Sequence, residues 1–170
     1  KNELQKLGYF SEGMYFDEII AGNLIQNLEN IYATHPGKSL NNESILVLAH
    51  YDITDTTVEG AADDASGIGT ILELARIFKS ESFNRNIIFL FTDSEEFGAF
   101  WGAHNFAEKF KDKNKIVAAI SLDFIAPDTQ DSIMVLTDGL HSGYSPLWLR
   151  EMALNSIRRV PFKAEDTVNA

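Results

Sequence analysis

Three apolar runs, each followed within two residues by metal-ligating side chains, constrain the fold of this chain most strongly. The runs cover residues 45–49, 87–91 and 116–122, and the residues that follow them are His50, Asp93-Ser-Glu-Glu96 and Asp123. Short apolar runs are typical of strands buried on both faces of a parallel sheet. The carboxyl ends of parallel strands meet at one edge, where α/β proteins place their ligand sites. The pattern therefore predicts an α/β domain with a polar site at that edge.

A turn rich in small residues, 60–67, lies between the first two runs and contains the adjacent carboxylates Asp63 and Asp64. A helix is predicted from about residue 65 to residue 79, because apolar side chains recur there at helical spacing. The turn therefore places two carboxylates at the start of a helix that follows the first buried strand.

The rest of the chain alternates between strand and helix patterns. Residues 9–20 suit a strand, while residues 20–32 allow either a strand or one amphipathic helix. We interpret 27–34 as a strand that forms a hairpin with the first apolar run, so that the hairpin over 28–50 supplies antiparallel strands at the sheet edge. Further elements are predicted as a helix at 97–110, a strand at 132–137, a helix from Pro146 to about residue 159 and a strand from residue 160.

These elements predict a three-layer α/β/α fold with a mixed, mainly parallel central sheet, in which residues 1–170 form a single domain. The net charge of −11 argues against partners such as nucleic acids and anionic membrane surfaces. No apolar run approaches the roughly 18 residues of a membrane-spanning helix, so no membrane span is expected. The chain has no cysteine, so its redox compartment cannot be inferred.

His50, Asp63, Glu96 and Asp123 offer the nitrogen and oxygen ligands with which proteins bind zinc. A single carboxylate is usually a solvated surface group, and a single histidine at a strand end is usually hydrogen-bonded in the core. The combination favours a metal site, because charged residues repeatedly end buried strands where they would otherwise be costly. Asp52 lies two residues beyond His50 and can point the same way, which would orient the imidazole.

Four ordered motifs resemble those of the co-catalytic zinc aminopeptidases of metallopeptidase family 28. They are His50-Tyr-Asp52, the stretch Gly60-Ala-Ala-Asp-Asp-Ala-Ser-Gly67, Asp93-Ser-Glu-Glu-Phe-Gly98 and Leu122-Asp123. The family includes bacterial leucyl aminopeptidases and glutaminyl cyclases, and the similarity runs from about Leu4 to the helix near residue 158. The resemblance implies the zinc-dependent exopeptidase fold and two zinc ions.

The resemblance also implies a role for each residue of the motifs. Asp63 would bridge the two zinc ions, His50 and Asp123 would complete one site, and Glu96 would bind the other ion. Glu95 would be the general base that deprotonates a metal-bridging water. Asp64 would be structural, Asp52 would orient His50, and the Asp63–Asp64 peptide bond would be cis rather than trans.

One ligand of the resembling family has no counterpart here. The family's second zinc takes a further histidine from a later segment, which we expect beyond Ala170, together with the last strands of the fold. We therefore interpret the chain as a fragment of the catalytic domain that lacks terminal elements. His141, His104 and His35 are expected not to be ligands. Resemblance alone favours a secreted, periplasmic or cell-envelope location.

The resulting functional prediction is a zinc-dependent aminopeptidase that releases residues from peptides with a free amino terminus. One alternative is a glutaminyl cyclase with a single zinc ion, although known cyclases commonly carry Ser or Gly where Asp64 stands. Another is a non-catalytic, peptidase-like interaction domain. Such relatives usually lose ligands or the base, whereas five of the family's six key positions are present here.

Overall fold

The computed structural model describes residues 1–54, 59–98, 100–110, 115–125, 132–136, 145–159 and 163–167. The chain divides into two compact units, Lys1–Ile125 and Ala126–Ala170. The elements of the first unit are α1 (Asn2–Lys6), β1 (Ser11–Ile20), β2 (Asn23–His35), β3 (Leu40–His50), α2 (Ala65–Phe78), β4 (Arg85–Thr92), α3 (Trp101–Phe110) and β5 (Lys115–Ser121). The second unit contains β6 (Ser132–Leu136), α4 (Leu147–Ile157) and β7 (Lys163–Thr167).

The first unit is built on a five-stranded sheet in the order β1-β2-β4-β3-β5. Strand β3 pairs in parallel with β4 on one side and with β5 on the other. The three apolar runs are therefore adjacent parallel strands, as the sequence predicted. Strand β2 is antiparallel to β4, and β1 is antiparallel to β2, which makes the sheet mixed.

The predicted hairpin over 28–50 is wrong. Strand β2 pairs with β1 and with β4, so β4 lies between β2 and β3. The hairpin is formed instead by β1 and β2, whose two loop residues, Ala21 and Gly22, both have positive φ angles of 49° and 82°. Positive φ at both loop positions is the geometry of a type I′ turn, which joins antiparallel strands tightly. The helical alternative for residues 20–32 is therefore wrong as well.

Helices cover both faces of the sheet, so the unit has the three layers that the sequence predicted. On one face, Ile71 and Ala75 of α2 are fully buried in the cluster that contains Phe89. On the other face, Phe106 of α3 is buried in the cluster that contains Ile88. Successive residues of β4 thus enter opposite cores, which explains why its run is apolar throughout.

Helix α3 begins at Trp101 instead of the predicted residue 97. Phe100 has a φ angle of 50°, in the left-handed region that a right-handed helix excludes. The glutamates that follow β4 consequently lie in a turn and not on a helix.

The second unit contains the parallel pair of β6 and β7, and α4 packs against both strands. The predicted strand at 132–137 is confirmed over its described residues, 132–136. The predicted helix at 146–159 is confirmed over 147–157, with Pro146 immediately before its first residue. Residues 160–162, where the last strand was predicted to begin, lie outside the described residues. Among the described residues, no helix is long and apolar enough to cross a membrane.

Candidate metal centre

Three side chains from separate elements converge at the carboxyl edge of the sheet. His50 is the last residue of β3, Asp63 lies in the turn before α2, and Asp123 follows β5. One ligand atom from each lies within 4.8 Å of those from the other two. The imidazole Nε2 of His50 is 2.9 Å from Asp63 Oδ1 and 3.9 Å from Asp123 Oδ1. The parallel arrangement of β3 and β5 thus places one nitrogen and two oxygen ligands around a common point.

The imidazole of His50 is held from its other side by the main chain of Asp52. Its Nδ1 lies 3.1 Å from the Asp52 carbonyl oxygen, and a carbonyl oxygen can only accept a hydrogen bond. Nδ1 therefore carries a proton, so Nε2, which faces Asp63 and Asp123, is the ring nitrogen that can ligate a metal ion. This is the orientation that a metal-ligating imidazole needs.

The carboxylate of Asp52 holds the turn that carries the two glutamates. Its Oδ1 accepts a hydrogen bond from the Glu95 N–H at 3.0 Å, and its Oδ2 accepts one from the Glu96 N–H at 3.1 Å. Asp52 Oδ1 also lies 3.5 Å from Nδ1 of His50. Burial would raise the pKa of Asp52, but these contacts outweigh it and hold that pKa below its ordinary value. Asp52 therefore fixes His50 and the glutamate turn to one another, which extends the role predicted for it.

Glu95 lies beside the cluster that His50, Asp63 and Asp123 form. It lines a small cavity together with His50 and Asp123, and Leu48, Phe100 and Ala103 form part of the apolar lining. Burial raises the pKa of Glu95, and the neighbouring charges of Asp123, Glu96 and Asp52 raise it further against the opposing effect of His50. A carboxylate with a raised pKa is suited to accepting a proton near neutral pH.

Glu96 is outside the group of three ligand atoms, although it lies in the same electrostatic environment. Burial raises its pKa, and so do the negative charges of Asp63, Asp52 and Asp123. The described residues thus bring together three of the four predicted ligands, while the fourth stands beside them.

The Asp63–Asp64 peptide bond is cis, as the resemblance implied. The two carboxylates take different directions. That of Asp64 is buried and caps α2 by accepting a hydrogen bond from the Gly67 N–H at 2.9 Å. Its Oδ1 also lies 3.3 Å from the Phe124 N–H, so it holds the segment that carries Asp123. Burial, reinforced by the Asp123 charge, raises the pKa of Asp64 to about 6.

Ser66, which no sequence pattern singled out, also holds the segment that carries Asp123. Its hydroxyl donates to the Ala62 carbonyl at 2.7 Å and accepts from the Ile125 N–H at 3.1 Å. The start of α2 therefore holds two successive N–H groups beyond Asp123, one through Asp64 and one through Ser66. A serine in the first turn of a helix usually bonds locally, so the sequence carries no signal for this longer contact.

The contact between Gly67 and Asp64 leads to a prediction about stability. A Cβ added at Gly67 would lie 2.5 Å from both carboxylate oxygens of Asp64, whereas one added at Gly69 in the same helix meets nothing within 4 Å. We expect Gly67→Ala to lower the free energy of unfolding by about 1–3 kcal/mol through overpacking. Gly69→Ala should raise it by up to about 1 kcal/mol through helix propensity. Urea unfolding of the two variants checks this, and equal midpoints would contradict the role given to Asp64.

The donor set fits a divalent cation such as zinc. Negative carboxylates crowd around one imidazole, and this crowding contributes to the raised pKa values of Glu95, Glu96 and Asp123, in each case after the larger effect of burial. A cation would offset the repulsion among these groups. One nitrogen and several oxygen ligands without thiolates match an open zinc site rather than a closed structural one.

Of the other histidines, the two among the described residues stand apart from the cluster. His35 is buried and lies 3.1 Å from the hydroxyl of Tyr9 through its Nδ1. His104 is exposed on α3. His141 lies outside the described residues.

Comparison with known proteins identifies the family. The model of peptidase family M28 matches residues 30–161, which is most of the chain. The chain therefore belongs to peptidase family M28.

Two relatives with curated names are larger proteins from fungi. A protein of Pyrenophora tritici-repentis named probable zinc metalloprotease is 35% identical over 107 residues, which cover 58% of this chain and 24% of that protein. The vacuolar membrane protease of Schizosaccharomyces pombe is 35% identical over 95 residues, covering 56% of this chain and 11% of that protein. The chain thus spans a quarter or less of the length of either relative.

Solved structures share the fold at low sequence identity. A leucine aminopeptidase precursor from Bacteroides thetaiotaomicron superposes with a TM-score of 0.75 at 20% identity, over 98% of this chain and 67% of that one. A glutaminyl cyclase from the same species, solved with N-acetylhistamine, gives 0.76 at 20% identity, over 98% and 66%. Both likenesses show a shared fold, in two proteins that are named for different activities.

Proposed function

We propose that the full-length protein is a zinc-dependent aminopeptidase that hydrolyses amino-terminal residues from peptides. The observation that carries the proposal is the convergence of His50, Asp63 and Asp123 beside Glu95, in a chain of peptidase family M28. In this proposal His50, Asp63 and Asp123 hold one zinc ion, and Asp63 and Glu96 contribute to a second. Zinc in such a site lowers the pKa of a water molecule and polarises the peptide carbonyl.

Glu95 is the general base in this proposal. Its carboxylate takes a proton from the attacking water and returns it to the leaving amine, which requires that Glu95 face the reacting atoms without being a ligand. Its place in the cavity beside His50 and Asp123, outside the group of three ligand atoms, supports this assignment. Its raised pKa favours holding the proton between the two steps.

Asp52 serves as a positioning residue. Its carbonyl fixes the Nδ1 proton of His50, while its carboxylate fixes the main chain at Glu95 and Glu96. A single residue thereby sets the distance between the ligand imidazole and the general base. Exact placement of such groups accounts for a large share of enzymatic rate.

The exposed carboxylates favour a substrate with a free amino terminus. The side chains of Asp63 and Asp123 remain 42% and 52% exposed, so the site is open at the edge of the sheet. The lone pair of a free amino terminus could coordinate zinc held at this open edge, whereas an acylated amine has no such lone pair to offer.

Glutaminyl cyclase is the second candidate, favoured by the structural likeness to a cyclase of Bacteroides thetaiotaomicron. That reaction closes an amino-terminal glutamine on itself and releases ammonia, and no peptide bond is cut. The buried Asp64 carboxylate, with its bonds to Gly67 and Phe124, supports the peptidase instead, because cyclases resembling this family commonly carry Ser or Gly there.

One assay separates the candidates. The zinc-loaded full-length protein is incubated with a leucyl peptide, its N-acetylated form and a peptide that begins with glutamine. We expect release of free leucine from the first peptide and none from the acetylated one. Loss of ammonia from the glutamine peptide without any cleavage would replace the aminopeptidase by the cyclase. A protein that binds no zinc and acts on none of the three peptides would favour the non-catalytic interaction domain.

A further inference from the structure

Asn30, which no sequence pattern singled out, has a fully buried side chain near the turn that carries Glu95 and Glu96. Asn30 comes immediately before Ile31, and the pair of Ile31 with Phe91 is the last one between β2 and β4 at this end of the sheet. Past this point β2 continues beyond the end of β4, and the ladder of main-chain hydrogen bonds between them stops. A polar side chain without any exposure must be hydrogen-bonded within the protein.

The side chain of Asn30 bonds to both ends of the connection between β4 and α3. Its amide nitrogen donates to the Gly102 carbonyl at 2.7 Å, and its amide oxygen accepts from the Asp93 N–H at 3.2 Å. Gly102 and Asp93 are also joined directly, since the Gly102 N–H donates to the Asp93 carbonyl at 3.0 Å. An amide side chain can do both at once, because its nitrogen donates to a carbonyl while its oxygen accepts from an N–H.

The packing around this contact leaves no room for adjustment. A Cβ added at Gly102 would lie 2.5 Å from the Asn30 amide oxygen and would overlap the Asp93 carbonyl. The side chain of Asp93 is held in turn, because its Oδ2 accepts from the Glu29 N–H at 3.0 Å and from the Tyr51 hydroxyl at 3.1 Å. The first residue after β4 is therefore fixed to β2 by main chain and side chain alike.

We propose that Asn30 is a positioning residue that sets the main-chain path of residues 93–98, here called the glutamate segment, and thereby places Glu95 and Glu96 against the metal ligands. Asp52 bonds to the N–H groups in the middle of this segment. Asn30 bonds to Asp93 at its start and to Gly102 beyond its end. The role given to the two glutamates rests on the proposed function, whereas the restraint on the main chain does not.

Asn86 provides a matched control at the opposite end of β4. It is also buried, donates to the Asn41 carbonyl at 2.7 Å and accepts from the Gly37 N–H at 2.7 Å. Asn30→Ala and Asn86→Ala thus each remove one donated and one accepted bond between side chain and main chain. Both should destabilise the protein, but only the first should disturb the glutamate segment.

The test is amide hydrogen exchange on both variants of the full-length protein, read at the Glu95 and Glu96 N–H groups, followed by kinetics with the zinc-loaded protein. We expect exchange at these amides to rise at least tenfold in Asn30→Ala and to remain unchanged in Asn86→Ala. In the kinetic arm, kcat should fall about 10- to 100-fold in Asn30→Ala with little change in KM, since a misplacement of about 1 Å costs about that much.

Asn30→Asp keeps the shape of the side chain and loses the donated bond, so it serves if Asn30→Ala does not fold. It should show the same rise in exchange at Glu95 and Glu96. Unchanged exchange at both amides in the folded Asn30 variant, or an equal rise in the matched Asn86 variant, would overturn the inference. If the wild-type protein lacks peptidase activity, the proposed function fails, and the exchange data still decide the restraint by Asn30.

Discussion

Replacing Glu95 with glutamine is expected to lower kcat of the zinc-loaded full-length protein by about 10²- to 10⁴-fold, because a positioned general base contributes about that much. Glutamine keeps the size of the side chain and leaves the main-chain bond from residue 95 to Asp52 in place. The zinc content should therefore stay at the wild-type level. Initial rates on a leucyl peptide and metal analysis of the same samples check both parts.

Glu81→Gln is the control for the loss of one negative charge. Glu81 follows the carboxyl end of α2, away from the edge that holds the cluster, and its side chain is exposed. The kcat of the Glu81→Gln variant should match that of the wild type. A Glu95→Gln variant that retains more than about a tenth of wild-type kcat would remove Glu95 from the role of general base.

Replacing Asp63 with asparagine is expected to abolish the stabilisation of the protein by zinc. A ligand present at about a thousand times its Kd stabilises the folded state by about 4 kcal/mol, which corresponds to a rise in Tm of roughly 8–16 °C for a domain of this size. In the proposed site Asp63 holds the first zinc ion and contributes to the second, so its loss should weaken the binding of both ions. Activity should fall with the zinc content.

Thermal melting of the wild type and of Asp63→Asn, with and without zinc, measures this effect. Glu81→Gln again serves as the control and should keep the full shift. A wild type whose Tm does not respond to saturating zinc would contradict the metal site. A normal shift in Asp63→Asn would remove Asp63 from the ligand set.

The layers of the fold follow from the sequence because burial on both faces leaves a direct mark on it. Strand β4 supplies Ile87 and Phe89 to one core and Ile88 and Leu90 to the other, so the run contains no polar residue. The pairing of β2 left no such mark, since the side chains of a strand show which face is buried but not which strand lies beside it. The insertion of β4 between β2 and β3 therefore could not be predicted from local patterns.

The residues of the site also fall into those that the sequence predicts and those that it does not. His50 and Asp123 could be predicted because each stands at the end of a buried strand, where a polar or charged residue is costly unless it has a function. Asp63 could be predicted because its turn lies between two such strands. The restraints around them could not. The carboxylate of Asp52 bonds to N–H groups 43 and 44 residues away, and Asn30 bonds to groups 63 and 72 residues away. Contacts of this length depend on the assembled fold, and asparagine within a strand pattern gives no sign of them.

The most direct test of the central claim is X-ray diffraction from crystals of the full-length protein grown with zinc, with anomalous data collected above and below the zinc edge. The proposal predicts an anomalous peak at about 2.0–2.2 Å from His50 Nε2 and from carboxylate oxygens of Asp63 and Asp123, with Glu95 close by and unligated. The absence of a peak at these three residues, with zinc bound elsewhere or not at all, would contradict it.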